Sequence, residues 1–245
     1  MTSPNRTAIV TGGSRGIGKA IAMRLSADGF SVVVNYASQR AAAEEAVSEI
    51  KETGKQAVAI GADVSKTEDV VRLFDEAERA LGPVEVLVNC AGMLVTKPLA
   101  DISDDEFDRL MAVNVRGTFL CCREAARRMV DGGKIVNLSS STTALMLPGY
   151  GAYVATKGAV EQLTHVLAKE LGPRGITVNA VSPGPTDTEL FARGKTEEQK
   201  LFYARMAALG RLGKPEDIAA VVSILVGPDG AWITGQNLRA NGGLI

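Results

Sequence analysis

Thr7-Ala8-Ile9-Val10-Thr11-Gly12-Gly13-Ser14-Arg15-Gly16-Ile17-Gly18 is the stretch from which the architecture is read. Thr7–Thr11 is short, apolar and β-branched, as a strand buried on both faces should be. The glycines that follow permit a tight turn, and Ile17, Ile21 and Leu25 then recur every fourth residue, which predicts one buried stripe of a helix. A strand running through a glycine turn into a helix is the first half of a βαβ unit.

The same rhythm continues down the chain. Strands are expected at Ser31–Tyr36, Ala57–Ala62, Val84–Asn89, Lys134–Ser139, Thr177–Ser182 and Gln236–Ala240. Between them lie helical patterns, among them Val70, Phe74, Ala77 and Leu81. Ser103 with Glu106 forms a capping box that opens a long helix toward Met129, and Pro215 suits the first turn of a helix that carries Ile218–Leu225. Strands alternating with helices predict an α/β fold: a Rossmann-like doubly wound parallel sheet of seven strands with helices on both faces. With no linker or low-complexity run, residues 1–245 are expected to form a single domain.

Composition narrows the class. Of 245 residues, 46% are apolar and 22% charged, which suits a well-filled globular core. Dispersed basic side chains, 27 against 28 acidic, offer no field for a polyanion, so nucleic acid is not expected as a partner. No apolar run approaches the ~20 residues of a membrane span, and Met1–Arg6 lacks the pattern of a signal peptide. Cys90, Cys121 and Cys122 lie in apolar segments and read as reduced structural thiols, which fits a cytoplasmic protein. The Asp104-Asp105-Glu106-Asp108 cluster reads as a helix start, His165 as a packing or surface residue, and no metal site is expected.

The glycine loop carries the first chemistry. A dinucleotide pyrophosphate needs unobstructed backbone N–H groups at a helix N-terminus, and Gly12, Ser14, Arg15, Gly16, Ile17 and Gly18 would supply them. The spacing is TGxxxGxG rather than the commoner GxGxxG. Where the second strand ends, Asn35-Tyr36-Ala37-Ser38 contains none of the acids that would grip an adenosine 2′-hydroxyl. Arg15 and Ser38 could instead receive a 2′-phosphate, which favours NADP(H) over NAD(H).

Tyr153-Val154-Ala155-Thr156-Lys157 starts a helical pattern running to Leu171, and the two ends of YxxxK share one helix face. A phenol titrates near ~10 and an adjacent ammonium favours its ionised form, so the pair can exchange a proton. The fifth strand ends in Ser139-Ser140-Ser141, hydroxyls at the sheet edge where doubly wound folds bind ligands. Physics alone does not choose among the three.

With these motifs and Asp63-Val64, Asn89-Cys90-Ala91-Gly92, Asn114 and Pro183-Gly184 in order, the sequence resembles the short-chain dehydrogenase/reductase family from Thr7 to Gly243. The resemblance implies that Ser140 orients a substrate carbonyl and that Tyr153 donates or accepts the proton. Lys157 would bind the nicotinamide ribose and depress the Tyr153 pKa. Asn114 would hold a water leading from Lys157 to solvent. Asp63 and Val64 would lie beside the adenine, and Asn89, Ala91 and Gly92 beside the adenosine-side ribose. Pro183, Gly184, Thr186 and Thr188 would border the nicotinamide. Cys90 stands where the family usually has a second asparagine, for which a stability difference is expected. The resemblance also implies a homotetramer (or homodimer) built on the Ser103–Met129 and Tyr153–Leu171 helices.

Residues 184–213 lose strand character and scatter Leu190, Phe191, Leu201, Phe202, Tyr203 and Met206 among polar residues. With Leu94, Met146, Leu147 and Tyr150 they are expected to form a substrate lid and an apolar pocket. The function expected is reduction of a ketone, dione or 3-oxoacyl group by NADPH. The alternatives are an alcohol or sugar dehydrogenase working in the oxidising direction, and a sensor that binds NADP(H) without turnover.

Overall fold

The computed structural model describes residues 6–245. In chain order its elements are β1 (Thr7–Thr11), α1 (Gly16–Ala27), β2 (Ser31–Tyr36), α2 (Arg40–Glu52), β3 (Ala57–Gly61), α3 (Thr67–Leu81) and β4 (Val84–Asn89). Then follow α4 (Asp104–Met111), α5 (Gly117–Arg128), β5 (Lys134–Leu138), α6 (Thr142–Leu145), α7 (Gly151–Leu171) and β6 (Thr177–Pro183). The chain closes with α8 (Glu189–Ala192), α9 (Glu197–Met206), α10 (Pro215–Val226) and β7 (Asn237–Ala240).

All seven strands form one parallel sheet in the order β3-β2-β1-β4-β5-β6-β7. Strand order reverses beside β1: β2 and β3 leave to one side, β4 to β7 to the other. A crevice opens at such a reversal, at the carboxyl ends of the strands. Alternation within β1 shows why its three central residues are apolar. Ala8 and Val10 face one core layer with Ile21, Leu25 and Ile218, whereas Ile9 faces the other with Leu73, Phe74 and Leu87. Both faces are covered, and the terminal Thr7 and Thr11 are buried with their hydroxyls donating to the Leu81 and Val88 carbonyls.

Four expected strands keep the bounds read from sequence or gain one residue, β3 and β5 end a residue short, and β7 starts a residue late. The long helix expected from Ser103 to Met129 is interrupted. Its capping box is present, but residues Ala112–Arg116 widen into a π-helical turn between α4 and α5. Such widenings occur where a helix must offset its register for a functional side chain, and Asn114 lies in this one. Residues 184–213 are more ordered than a loop, because Thr196 and Gln199 cap α9 reciprocally. Among the described residues no helix is long and apolar enough to cross a membrane. Trp232, the only tryptophan, is 99% exposed.

Candidate active site

A cleft of about 390 Å³ lies over the carboxyl edge of the sheet at the β1/β4 reversal. That is within the ~300–1,000 Å³ typical of small-molecule sites. Its floor is the turn from β1 to α1. Gly12 and Gly16 adopt φ of +63° and +52°, values that favour glycine. A Cβ on Gly12 would stand 2.9 Å from the Ala91 Cα, and one on Gly18 would run into the Gly12 carbonyl. α1 begins without a side-chain cap or an acid in its first turn, so its first amides are free for an anion. These are the features a dinucleotide pyrophosphate requires, and the residues fit that group.

The loop is held from behind. Asn35, 1% exposed, accepts from Gly12 N–H at 3.3 Å and donates to the Ile60 and Ala62 carbonyls at 3.2 and 3.0 Å. Thr11 Oγ1 accepts from both Cys90 N–H and Ala91 N–H, at 3.0 and 3.1 Å. Thr11 thereby ties the end of β1 to the segment after β4, while the Cys90 side chain lines the cleft. Burial pushes the Cys90 thiol up to about 11, so it is not a ready nucleophile.

Helix α7 carries Tyr153 and Lys157 into the cleft on one face. Lys157 Nζ, 5.7 Å from the Tyr153 ring centre, donates to the Leu138 carbonyl at 2.7 Å. The three serines are separated by their partners. Ser139 Oγ donates to Glu161 Oε1 at 2.7 Å, and Ser141 Oγ donates to the Ser182 carbonyl at 3.0 Å. Ser140 Oγ accepts from Thr142 Oγ1 at 2.8 Å and from Thr142 N–H at 3.3 Å, and it hydrogen-bonds the Tyr153 phenol. A hydroxyl has one proton to give, and of the three serines only Ser140 directs its proton at Tyr153.

Burial governs the titration of Tyr153 and Lys157. It pushes the Tyr153 phenol up to about 12 against the pull of the Ser140 hydrogen bond, and it lowers Lys157 to about 8. The rise in the Tyr153 pKa is set by burial, with the Ser140 hydrogen bond opposing it.

Asn114 is held by bonds to its surroundings. Its side chain accepts from Met93 N–H at 2.9 Å and donates to the Met93 carbonyl at 2.9 Å and to Thr156 Oγ1 at 3.1 Å. Its main-chain carbonyl accepts from Thr118 Oγ1 at 2.9 Å. In this arrangement Asn114 clamps the strand-end segment against α7, behind the cleft rather than within it.

Of the other residues expected to hold cofactor, Ser14, Arg15, Ile17, Ala37, Asp63 and Val64 line the cleft, as do Ala91, Gly92, Pro183, Gly184, Thr186 and Thr188. Tyr36, Ser38 and Asn89 do not. The Tyr36 ring folds over Gly61, and Ser38 faces solvent. Asn89 turns inward to donate to Asn137 Oδ1 at 2.8 Å. Arg15 pairs with Glu189 at 3.0 Å, both well exposed. At the far end Leu94, Leu147, Tyr150, Leu190, Phe191 and Tyr203 make an apolar mouth. Met146, expected there, instead takes φ +51° and points to solvent at 74% exposure.

A family model described as enoyl-(acyl carrier protein) reductase matches residues 12–245. A short-chain type dehydrogenase/reductase of Picea abies is 45% identical over 250 residues, covering 98% of this chain and 92% of its own length. An NADPH-dependent aldehyde reductase-like protein of Arabidopsis thaliana, described as chloroplastic, is 45% identical over 254 residues, 98% of this chain and 94% of its own. This chain is a short-chain dehydrogenase/reductase. The crystal structure of the angucycline C-6 ketoreductase LanV with bound NADP superposes with a TM-score of 0.93 at 37% identity, over 98% of this chain and 95% of that one. A dehydrogenase/reductase from Sinorhizobium meliloti 1021 superposes at 0.94 with 42% identity, over 99% and 96%.

As a short-chain dehydrogenase/reductase the chain is an oxidoreductase acting between CH–OH and C=O groups. Several of its cleft residues escaped the sequence reading. Asn35 was visible as the one amide ending an otherwise apolar strand. Gln39, Glu189 and Leu244 carry no local signal, since only the folded chain brings positions so far apart to one rim.

Proposed function

We propose that this chain reduces an apolar ketone, dione or 3-oxoacyl carbonyl to the alcohol, with Tyr153 as proton donor. The observation that carries this reading is Ser140, whose donor hydroxyl stands on the cleft wall shared with Tyr153 and Lys157 and hydrogen-bonds the Tyr153 phenol. NADP(H) is the cofactor, and when bound it supplies the hydride for the carbonyl carbon. Gly12, Gly16 and Gly18 leave room for its pyrophosphate, and no carboxylate from the end of β2 opposes a 2′-phosphate at Ala37. The exposed pair between Arg15 and Glu189 is weak, so Arg15 is free to exchange its partner.

Ser140 donates to the carbonyl oxygen and to the oxyanion that develops there. With its pKa raised to about 12, Tyr153 holds its proton at neutral pH and yields it to the alkoxide. Lys157, at about 8, remains mostly charged at neutral pH and stabilises the phenolate left behind. Residues 184–213, including α8 and α9, form the substrate lid, with Phe191 and Tyr203 packed edge to face at 5.5 Å. The reductases of aldehydes and ketones among the relatives support this direction. We further place the enzyme in the cytoplasm, for which its three free thiols argue, and as a homotetramer.

The test is NADPH and NADH consumption against a panel of 3-oxoacyl thioesters, diketones, ketones and aldehydes. NADPH-dependent turnover is expected, and Tyr153→Phe should reduce it ~10²- to 10⁴-fold while NADPH still binds. A Tyr153→Phe enzyme as fast as the parent would remove Tyr153 from the chemistry.

A further inference from the structure

Tyr153, Lys157 and Glu161 follow one another at four-residue spacing, so one face of α7 presents all three toward the end of β5. The first two face the cleft. Glu161 is directed behind it, at the loop that bears Ser140. Its Oε1 accepts from Ser139 Oγ at 2.7 Å and from Thr143 Oγ1 at 2.8 Å. These two residues bracket Ser140. The loop is also tied to β6, through Ser139 N–H to the Val181 carbonyl and through Ser141, whose Oγ further accepts from Asn241. Within it Ser140 and Thr142 are bonded only to the loop's own residues, to the helix that follows and, from Ser140, to Tyr153.

We infer that Glu161 is a positioning residue that fixes Ser140 relative to Tyr153 by anchoring both ends of the Ser139–Thr143 loop to the catalytic helix. The inference rests on the carbonyl-reductase reading above. An ionised carboxylate only accepts hydrogen bonds, so it compels both flanking hydroxyls to donate. The Ser139 proton is thereby committed to Glu161 rather than to the cleft. The Thr142 hydroxyl, spaced between the two anchors, is left to donate to Ser140 Oγ, and the Ser140 proton is left for the Tyr153 side of the cleft, where a carbonyl oxygen would meet it. Hydrogen bonds to charged groups are about twice as strong as neutral ones, which suits a device that must hold geometry rather than merely fill space. Because Glu161 and Tyr153 share one rigid helix, the distance between hydroxyl donor and proton donor becomes a property of α7. No salt-bridge partner competes for the carboxylate among the described residues.

Three enzymes decide it: the parent, Glu161→Leu and Glu161→Gln. Misplacing a reacting group by ~1 Å can cost ~10²-fold, so Glu161→Leu should lower kcat about 10- to 100-fold. The dissociation constant of NADPH, read from its fluorescence, should stay within about twofold of the parent's. Glu161→Gln retains Oε1 as an acceptor and should recover most of the rate. A leucine enzyme with parental kcat overturns the inference, as does a glutamine enzyme no better than leucine. Backbone hydrogen exchange supplies a readout that needs no substrate: amides of residues 139–145 should exchange faster in Glu161→Leu than in the parent or Glu161→Gln, with residues 12–18 unchanged. Equal exchange in all three overturns the inference even if no carbonyl is turned over. Faster exchange in the leucine variant, with a parent that reduces none of the panel, would uphold the anchor and discard the reductase reading instead.

Discussion

Lys157 shows at the scale of one residue what the site costs the fold. Its ammonium is buried, and its pKa falls from 10.5 to about 8. Between those values the unfolded chain holds a proton that the folded chain has lost, so stability rises with pH across that window, and below about 8 the whole penalty applies. At 1.36 kcal/mol per unit this is about 3 kcal/mol at neutral pH. Replacing Lys157 by Met removes the penalty along with the hydrogen bond to Leu138. The bond is lost equally at every pH, so melting temperature relative to the parent should be more favourable near pH ~7 than near pH ~10, by roughly 4–8 °C per kcal/mol for a small domain and less for one this large. A variant whose difference from the parent is the same at both pH values would contradict the buried-ammonium account. The chemistry of this pair was legible in sequence because helical spacing alone aligns Tyr153 with Lys157. The direction of the Tyr153 shift was not, since burial depends on what the rest of the chain places around the ring.

Among elements, the join between β4, β5 and α7 holds the helix that bears Tyr153 and Lys157 to the sheet. Asn89 donates to Asn137 at 2.8 Å, Asn137 donates to Thr164 Oγ1 at 2.9 Å, and Thr164 donates to the Val160 carbonyl at 2.8 Å, all of them buried. Thr164→Val preserves shape while leaving the Asn137 amide without an acceptor, at a cost of ~1–3 kcal/mol. Chemical denaturation should show the midpoint falling with an unchanged slope, and an unaltered midpoint would mean that the chain is not structural. Strand positions were readable to within a residue or so, because a doubly covered strand is mostly apolar and β-branched, its few polar residues, such as Asn89 and Asn137, being hydrogen-bonded. The π turn around Asn114 was not. Its cause is a long-range clamp on Met93 and Thr156, and no local pattern in Ala112–Arg116 announces it. The small helices within residues 184–213 lie between these extremes: Thr196 and Gln199 form a recognisable capping pair, yet the short lengths give periodicity little room.

For the molecule as a whole, the apolar side chains left outside are informative. Phe119 and Val166 stand 46% and 55% exposed on α5 and α7, beside a shallow apolar recess lined by Met111, Val115 and Leu163. The proposed tetramer would cover this face, since exposed apolar patches of this kind are characteristic of subunit contacts. Phe119→Glu should shift the sedimentation coefficient toward smaller species without loss of secondary structure; an unchanged coefficient would place any contact elsewhere. The architecture itself was carried by repetition, strand, glycine, helix, and needed no single residue. Which helix faces stay exposed depends on the packing of the whole sheet and could be seen only in the folded chain.

Trp232 stands in water in the folded chain, as it would in the unfolded one. Its emission colour will therefore barely change when the protein melts, and a melting curve recorded from tryptophan fluorescence will look flat for a chain that is unfolding normally. Circular dichroism is the sounder optical probe of unfolding. The indole instead becomes a sensor of company: a blue shift that grows with protein concentration would mean that another surface has closed over it.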